Sequence, residues 1–231
     1  MFLKIIIISF VGGLLCLDRV WIQAMISRPI IVAPVVGLIL GNPYAGLIIG
    51  AMIELFWIDR IPIGIYIPPN DSIAAAFAAS LAILSGSSLG KVTGELIALS
   101  ILIAVPFGII AKKVDVKIME SNNLLSDQAL VDAKELNIRA IERKMYLGLA
   151  KVFLFYVVLL FVLQMVFIPA LIWIYPKLPA PIHTMLSLTY YFLPLLGIAV
   201  AISTIKLRGT IPVFCAIFLV VAAAMEFFHV F

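Results

Sequence analysis

This sequence predicts an all-α polytopic membrane protein, on three observations. Of its 231 residues, 65% are hydrophobic and only 12% charged, where a water-facing domain carries about a quarter charged residues. Its mean hydropathy is +1.23, so most of its surface faces lipid. Its apolar runs recur at lengths near the roughly 20 residues that cross a bilayer as a helix. About seven such segments can be drawn, with a broken or re-entrant one near Gly41–Pro43 and a polar helical arm.

The first segment runs from about Phe2 to Leu17. One basic residue and an apolar core resemble a secretion signal, but no small-x-small cleavage site precedes Asp18, so it reads as the first membrane helix. A polar and aromatic connector, Leu17–Pro29, follows. The next apolar stretch, Ile30–Ile58, is interrupted by Gly41-Asn42-Pro43. Each half is too short to cross alone, so the stretch is either one broken helix or a re-entrant pair. Proline removes a backbone donor at that depth, and such breaks are tolerated where they line a cavity. Further spans follow at about Ser72–Leu89, Val92–Ala111, Leu147–Tyr175, Ile182–Ile205 and Thr210–Phe231.

Residues 112–146 hold seven Lys/Arg and six Asp/Glu. They read as a solvated helical arm that also suits docking of a soluble partner. Ser126 is placed to cap a helix there, and Glu135 and Arg139 stand four apart in the favourable order. The chain thus reads as a single membrane domain over 1–231: N-terminal spans with site candidates (1–111), the arm (112–146) and C-terminal spans (147–231). The positive-inside bias puts the arm in the cytoplasm. If Ile30–Ile58 crosses once, twelve basic residues fall inside and four outside, with the N-terminus inside. If that stretch is re-entrant, everything before it inverts.

Small residues recur at spacing four in Gly37–Gly41, Gly46–Gly50 and Gly86–Gly90–Gly94, which predicts close helix packing or a sliding interface. The net charge of +4 reflects basic residues beside the spans, and no nucleic-acid motif accompanies it. Cys16 and Cys215 lie in apolar runs far from His183 and His229, so no metal site is expected. Neither a phosphate-binding loop nor a nucleophile elbow is present. No catalytic residue and no cofactor are expected.

The candidates for chemistry lie in the first 72 residues. Glu54 sits inside an apolar span, where an ionised carboxylate costs about 2.5–3.5 kcal/mol on insertion scales. It therefore needs a partner such as Arg28 or Arg60, or faces a substrate. Asp59-Arg60 reads as an interfacial pair. In "IPPNDS" the prolines keep the chain extended and one of Asn70, Asp71 or Ser72 caps the next helix. Asp18, Gln23, Glu54, Asn70 and Asp71 offer carboxylates and amides, which suit vicinal hydroxyls. Trp21, Trp57 and Tyr66 suit the apolar faces of a sugar ring. A polyol substrate fits that inventory.

The string "SRPIIVAPVVGLILGNPYAGLIIGAMIELFWIDRIPIGIYIPPNDSIAA" resembles the IIC subunit of the mannose–fructose–sorbose family of the bacterial phosphotransferase system. Arg28-Pro29, the "GLILG" of Gly37–Gly41, "GLIIGAMIEL" ending at Glu54-Leu55, Gly64 and "PPND" at Pro68–Asp71 carry the likeness. The resemblance implies a multi-pass channel in the bacterial cytoplasmic membrane, oligomeric and paired with a IID membrane subunit. It also implies an elevator-like core and sugar phosphorylation through soluble IIB and IIA proteins. By residue matching it places Gln23, Glu54, Asn70, Asp71 and Asp18 among the sugar-binding groups. Relatives usually carry one more membrane segment and a polar tail, and a polar residue where this chain has Pro62. A solute-binding subunit of an ATPase-driven importer, or a scaffold without substrate, are the other classes that the composition alone allows.

Overall fold

The computed structural model describes residues 1–60, 66–204 and 210–227. Pro62, Gly64, Lys206, Arg208 and His229 lie outside them. The described residues form eight α-helices and two single 3₁₀ turns. Helix α1 (Phe2–Cys16) leads through a turn, Leu17–Arg19, into a connector and then α2 (Pro29–Leu40) and α3 (Pro43–Phe56). They are followed by α4 (Asp71–Leu89), α5 (Gly94–Lys134), α6 (Ile138–Ile174), α7 (Ala180–Thr204) and α8 (Thr210–Phe227). Four of these, α4 to α7, are long and apolar enough to cross a membrane. The others are shorter apolar helices, and the whole is a polytopic membrane protein.

The interrupted stretch is a helical hairpin. Gly41 (φ 86°) ends α2 in the left-handed region, and the N–H of Asn42 reaches back to Gly37 O at 2.8 Å. Asn42 then caps α3, its side chain accepting from Ala45 N at 3.1 Å, with Pro43 in the first helical position. One tripeptide thus closes one helix and opens the next. The helices run antiparallel at backbone contact. A Cβ on Gly50 would lie 2.5 Å from Pro29 O, and one on Gly37 2.7 Å from Asn42 O. Gly46 meets Ala33 in the same way. With 12 and 14 residues, the two arms are about 18 and 21 Å long, short of the ~30 Å hydrocarbon core.

That geometry selects the re-entrant alternative and corrects the single-crossing count. Helix α1 packs antiparallel to α6, with Phe2 on Phe161 (6.0 Å) and Phe10 on Phe153 (5.3 Å). Since α6 begins in the arm, α1 runs with its N-terminus directed away from the arm. Arg19 and Arg28 accordingly sit at the arm's end. Among described basic residues only Lys4, Lys91 and Lys177 lie at the other, a steeper asymmetry than the single crossing gave.

Helix α4 is buried on all sides, with Ile73 to Ala79 fully covered. Its sequence "SIAAAFAASLAILSGSS" supplies mostly small side chains, which let α1, α2, α3, α5 and α6 approach it closely. Phe77 fills the largest gap, edge-to-face with Phe107 of α5 (5.6 Å) and Phe167 of α6 (5.7 Å).

Three sequence expectations fail here. Ser126 is no cap, because α5 runs unbroken from Gly94 to Lys134; residues 112–134 contain no glycine or proline to stop it. Glu135 and Arg139 do not share a helix face, because the chain turns at Leu136 (φ 54°) and Asn137 caps α6. The arm is thus the free ends of two transmembrane helices, tied by Lys144 to Asp132. Gly86, Gly90 and Gly94 form no stripe either: Gly90 (φ 101°) ends α4, while Gly94 opens α5 against Tyr190.

Candidate functional site

The polar residues converge where the connector 17–28 meets the start of α4. The Asp18 carboxylate is buried and folds this connector around itself. Its Oδ1 accepts from Ala24 N (2.8 Å), and its Oδ2 from Ser27 N (3.1 Å) and Ser27 Oγ (3.2 Å). Burial raises the carboxyl's pKa, but these donors outweigh it and hold Asp18 below its ordinary value. The wrapping keeps Gln23 (φ 57°) and Met25 (φ 63°) in the left-handed region that side chains seldom adopt. Such strain persists only where the surroundings over-determine it.

The next residue, Arg19, points at α4. Its Nη1 donates to Asp71 Oδ1 at 2.6 Å and to Asn70 Oδ1 at 3.4 Å. Asn70 is fully buried with its side chain engaged: it caps α4 at Ile73 N (3.1 Å) and donates from Nδ2 to Asp115 Oδ2 (2.9 Å). Its backbone N–H bonds Gly108 O at 2.9 Å, an approach that depends on Gly108 carrying no side chain. Ser72 Oγ donates to Ser27 O at 2.5 Å and so fastens α4 to the connector.

Glu54 finds its partner in Arg28, with Nη1 to Oε1 at 2.9 Å; Oε2 accepts a longer bond from Ile30 N at 3.4 Å. The same connector therefore supplies a cation to each of the two carboxylates, Glu54 and Asp71. Arg60 pairs instead with its neighbour Asp59 (3.2 Å) in the exposed manner expected for an interfacial pair.

A cavity of about 1110 Å³ opens beside this cluster. Asp18, Arg19, Gln23, Arg28 and Asp71 line its upper part, and residues of α5 and α6, Asp115 and Tyr156 among them, continue it into the arm. Of the sequence candidates, Gln23, Asp71 and Asp18 line it; Asn70 and Glu54 stand behind it, holding Asp115 and Arg28. Arg19 and Asp115 were not anticipated. Arg19 stood beside Asp18 in the connector, and Asp115, one turn past an apolar run, read as solvated arm.

Carboxylates held by arginines at the base of a helical hairpin, beside a cavity lined by carboxylate, amide and guanidinium groups, suit a membrane transport subunit. A family profile described as the sorbose-specific IIC component of the phosphotransferase system matches residues 2–229, and the chain belongs to that family. It is thus a sugar-translocating IIC component, and an ATPase-driven importer is not favoured. Among similar proteins is an N-acetylgalactosamine permease IIC component 2 of Escherichia coli (strain K12), 32% identical over 103 residues, which are 45% of this chain and 74% of that one. Another is a fructose permease IIC component of Bacillus subtilis (strain 168), 26% identical over 98 residues, 42% of this chain and 36% of that one. The chain therefore matches about a third of the fructose permease component's length. Among solved structures, one titled as a membrane protein superposes with a TM-score of 0.71 at 18% identity, covering 96% of this chain and 85% of that one. The mannose transporter ManYZ in complex with microcin E492 gives 0.60 at 19% identity, covering 96% and 87%. These two likenesses concern the fold.

Proposed function

We propose that this chain carries a hexose or amino sugar through the bacterial cytoplasmic membrane, binding it at the Arg19–Asp71 cluster. The observation that carries this reading is the paired carboxylate Asp71, anchored at the buried start of α4 and open to the cavity. Sugar hydroxyls donate to Asp71, Gln23 both donates and accepts, and Glu54 behind them holds Arg28 against the cavity. Asn70 sets the direction of Asp71, and Asp18 holds the connector that presents Gln23. The bound sugar moves with the core, and the phosphohistidine of a soluble IIB protein, recharged by IIA, captures it on the arm's side. A IID subunit completes the channel, and the complex is oligomeric. The relatives' names support sugars as the class.

Membranes containing the complex are tested for phosphoenolpyruvate-dependent uptake of labelled N-acetylgalactosamine, fructose, mannose and sorbose. The expected result is uptake of at least one, reduced at least tenfold in Asp71→Asn and Glu54→Gln at normal protein levels. Unchanged uptake in both variants would overturn the site.

A further inference from the structure

We propose that Asp115 and Asn122 form a second hydroxyl-binding station, on the wall of the cavity between the Arg19–Asp71 cluster and the open end of the arm. This rests on the sugar site just described and extends it along α5. Asp115 is fixed from one side only: Asn70 holds its Oδ2, while Oδ1 is buried without a hydrogen-bond partner. The Tyr156 phenol lies near enough to interact with this carboxyl but leaves Oδ1 outside normal hydrogen-bond geometry. Seven residues on, Asn122 repeats the arrangement. Its Nδ2 reaches Gly148 O at 3.5 Å, and its Oδ1 is buried with no partner. Seven residues are close to two turns, so both side chains lie on one face of α5, about 10 Å apart along its axis.

Both residues line the cavity. A buried acceptor left unmade costs about 1–3 kcal/mol, and here, among the described residues, two stand in one cavity wall with no donor in normal hydrogen-bond geometry, Tyr156 being the one phenol near Asp115. The complementary ligand is an uncharged molecule with several hydroxyl donors, which is the chemistry of a sugar. Two acceptors about 10 Å apart are too far for one ring to bridge end to end, so they serve successive positions. Asp115 is linked through Asn70 to the primary site, and Asn122 lies toward the arm's open end. A sugar leaving Asp71 is therefore handed from acceptor to acceptor rather than released in one step.

A station on the exit path acts on turnover more than on initial capture. The test uses Asn122→Leu, Asn122→Ala and the conservative Asn122→Gln, with Asp115→Asn, which retains an acceptor for Asn70. Concentration dependence of uptake is measured with whichever of the four labelled sugars the wild-type complex transports. Asn122→Leu and Asn122→Ala are expected to lower the maximal rate at least fivefold with KM within about twofold, and Asn122→Gln to restore most of it. Asp115→Asn is expected to lower the maximal rate at normal protein levels. Maximal rates within twofold of wild type in Asn122→Leu and Asn122→Ala would overturn the proposal. So would a loss of rate matched by loss of protein from the membrane. Absence of uptake by the wild type would instead count against the primary site.

Discussion

At the residue scale, Asp18 is the pivot of the connector. It turns a segment containing two left-handed side-chain-bearing residues into a fixed surface, through three donors on two oxygens. A carboxyl with a lowered folded pKa contributes stability that is complete above its unfolded pKa and lost as pH falls through the folded one. The connector is thus expected to stay in place at neutral and mildly acidic pH and to loosen below about pH 4. Trp21 fluorescence, in a variant with Trp57 and Trp173 replaced by Phe, should report that transition. Asp18→Asn should show the loosened signal already at pH 7; a signal identical to wild type would deny Asp18 this role. Glu54 was legible from the sequence because a charge inside an apolar run demands an explanation, and Arg28 was among its named partners. Asp115 was not, since a carboxylate among lysines just beyond a span reads as solvated until the fold turns it inward.

At the element scale, the α2–α3 hairpin depends on what its glycines lack. Gly46 and Gly50 face backbone atoms of Ala33, Pro34 and Pro29, so any side chain there must push the helices apart. Overpacking of this kind costs about 1–3 kcal/mol. Gly50→Val should lower the thermal midpoint of the detergent-solubilised protein by several degrees and weaken uptake. Gly41→Ala, strained by its φ of 86° but facing open space, should cost less. Equal effects would mean that conformation, rather than contact, closes the hairpin. The break itself could be read from Gly41-Asn42-Pro43, which supplies an end, a cap and a first turn in three residues. Whether the chain then continued or returned could not, because spacing four predicts a close helix partner without naming its direction. The arm was misread for a related reason: polarity changes at Lys112, but nothing in 112–134 ends a helix.

At the scale of the whole molecule, the hairpin decides which way everything before it faces. With α2 and α3 returning to the end they left, Met1 is directed away from the arm. A cysteine at position 2 and one at Ser126, each in a Cys215→Ser background, should be labelled by a membrane-impermeant thiol reagent from opposite faces of oriented vesicles. Labelling from one face would restore the single crossing. Hydropathy alone located the helices that fill the bundle, because lipid sets their length and composition. It could not reveal which helix lies at the centre, since α4 differs from its neighbours in the smallness of its side chains, not in their polarity. The closeness of α2 and α3 has one more consequence. Side chains elsewhere in the bundle form a layer that can repack when two helices shift. Between these two, over Gly37, Gly46 and Gly50, main chain rests on main chain, and there is no such layer to yield. The pair moves as a single strut, so a displacement at Pro29 or Glu54 arrives undiminished at Gly41.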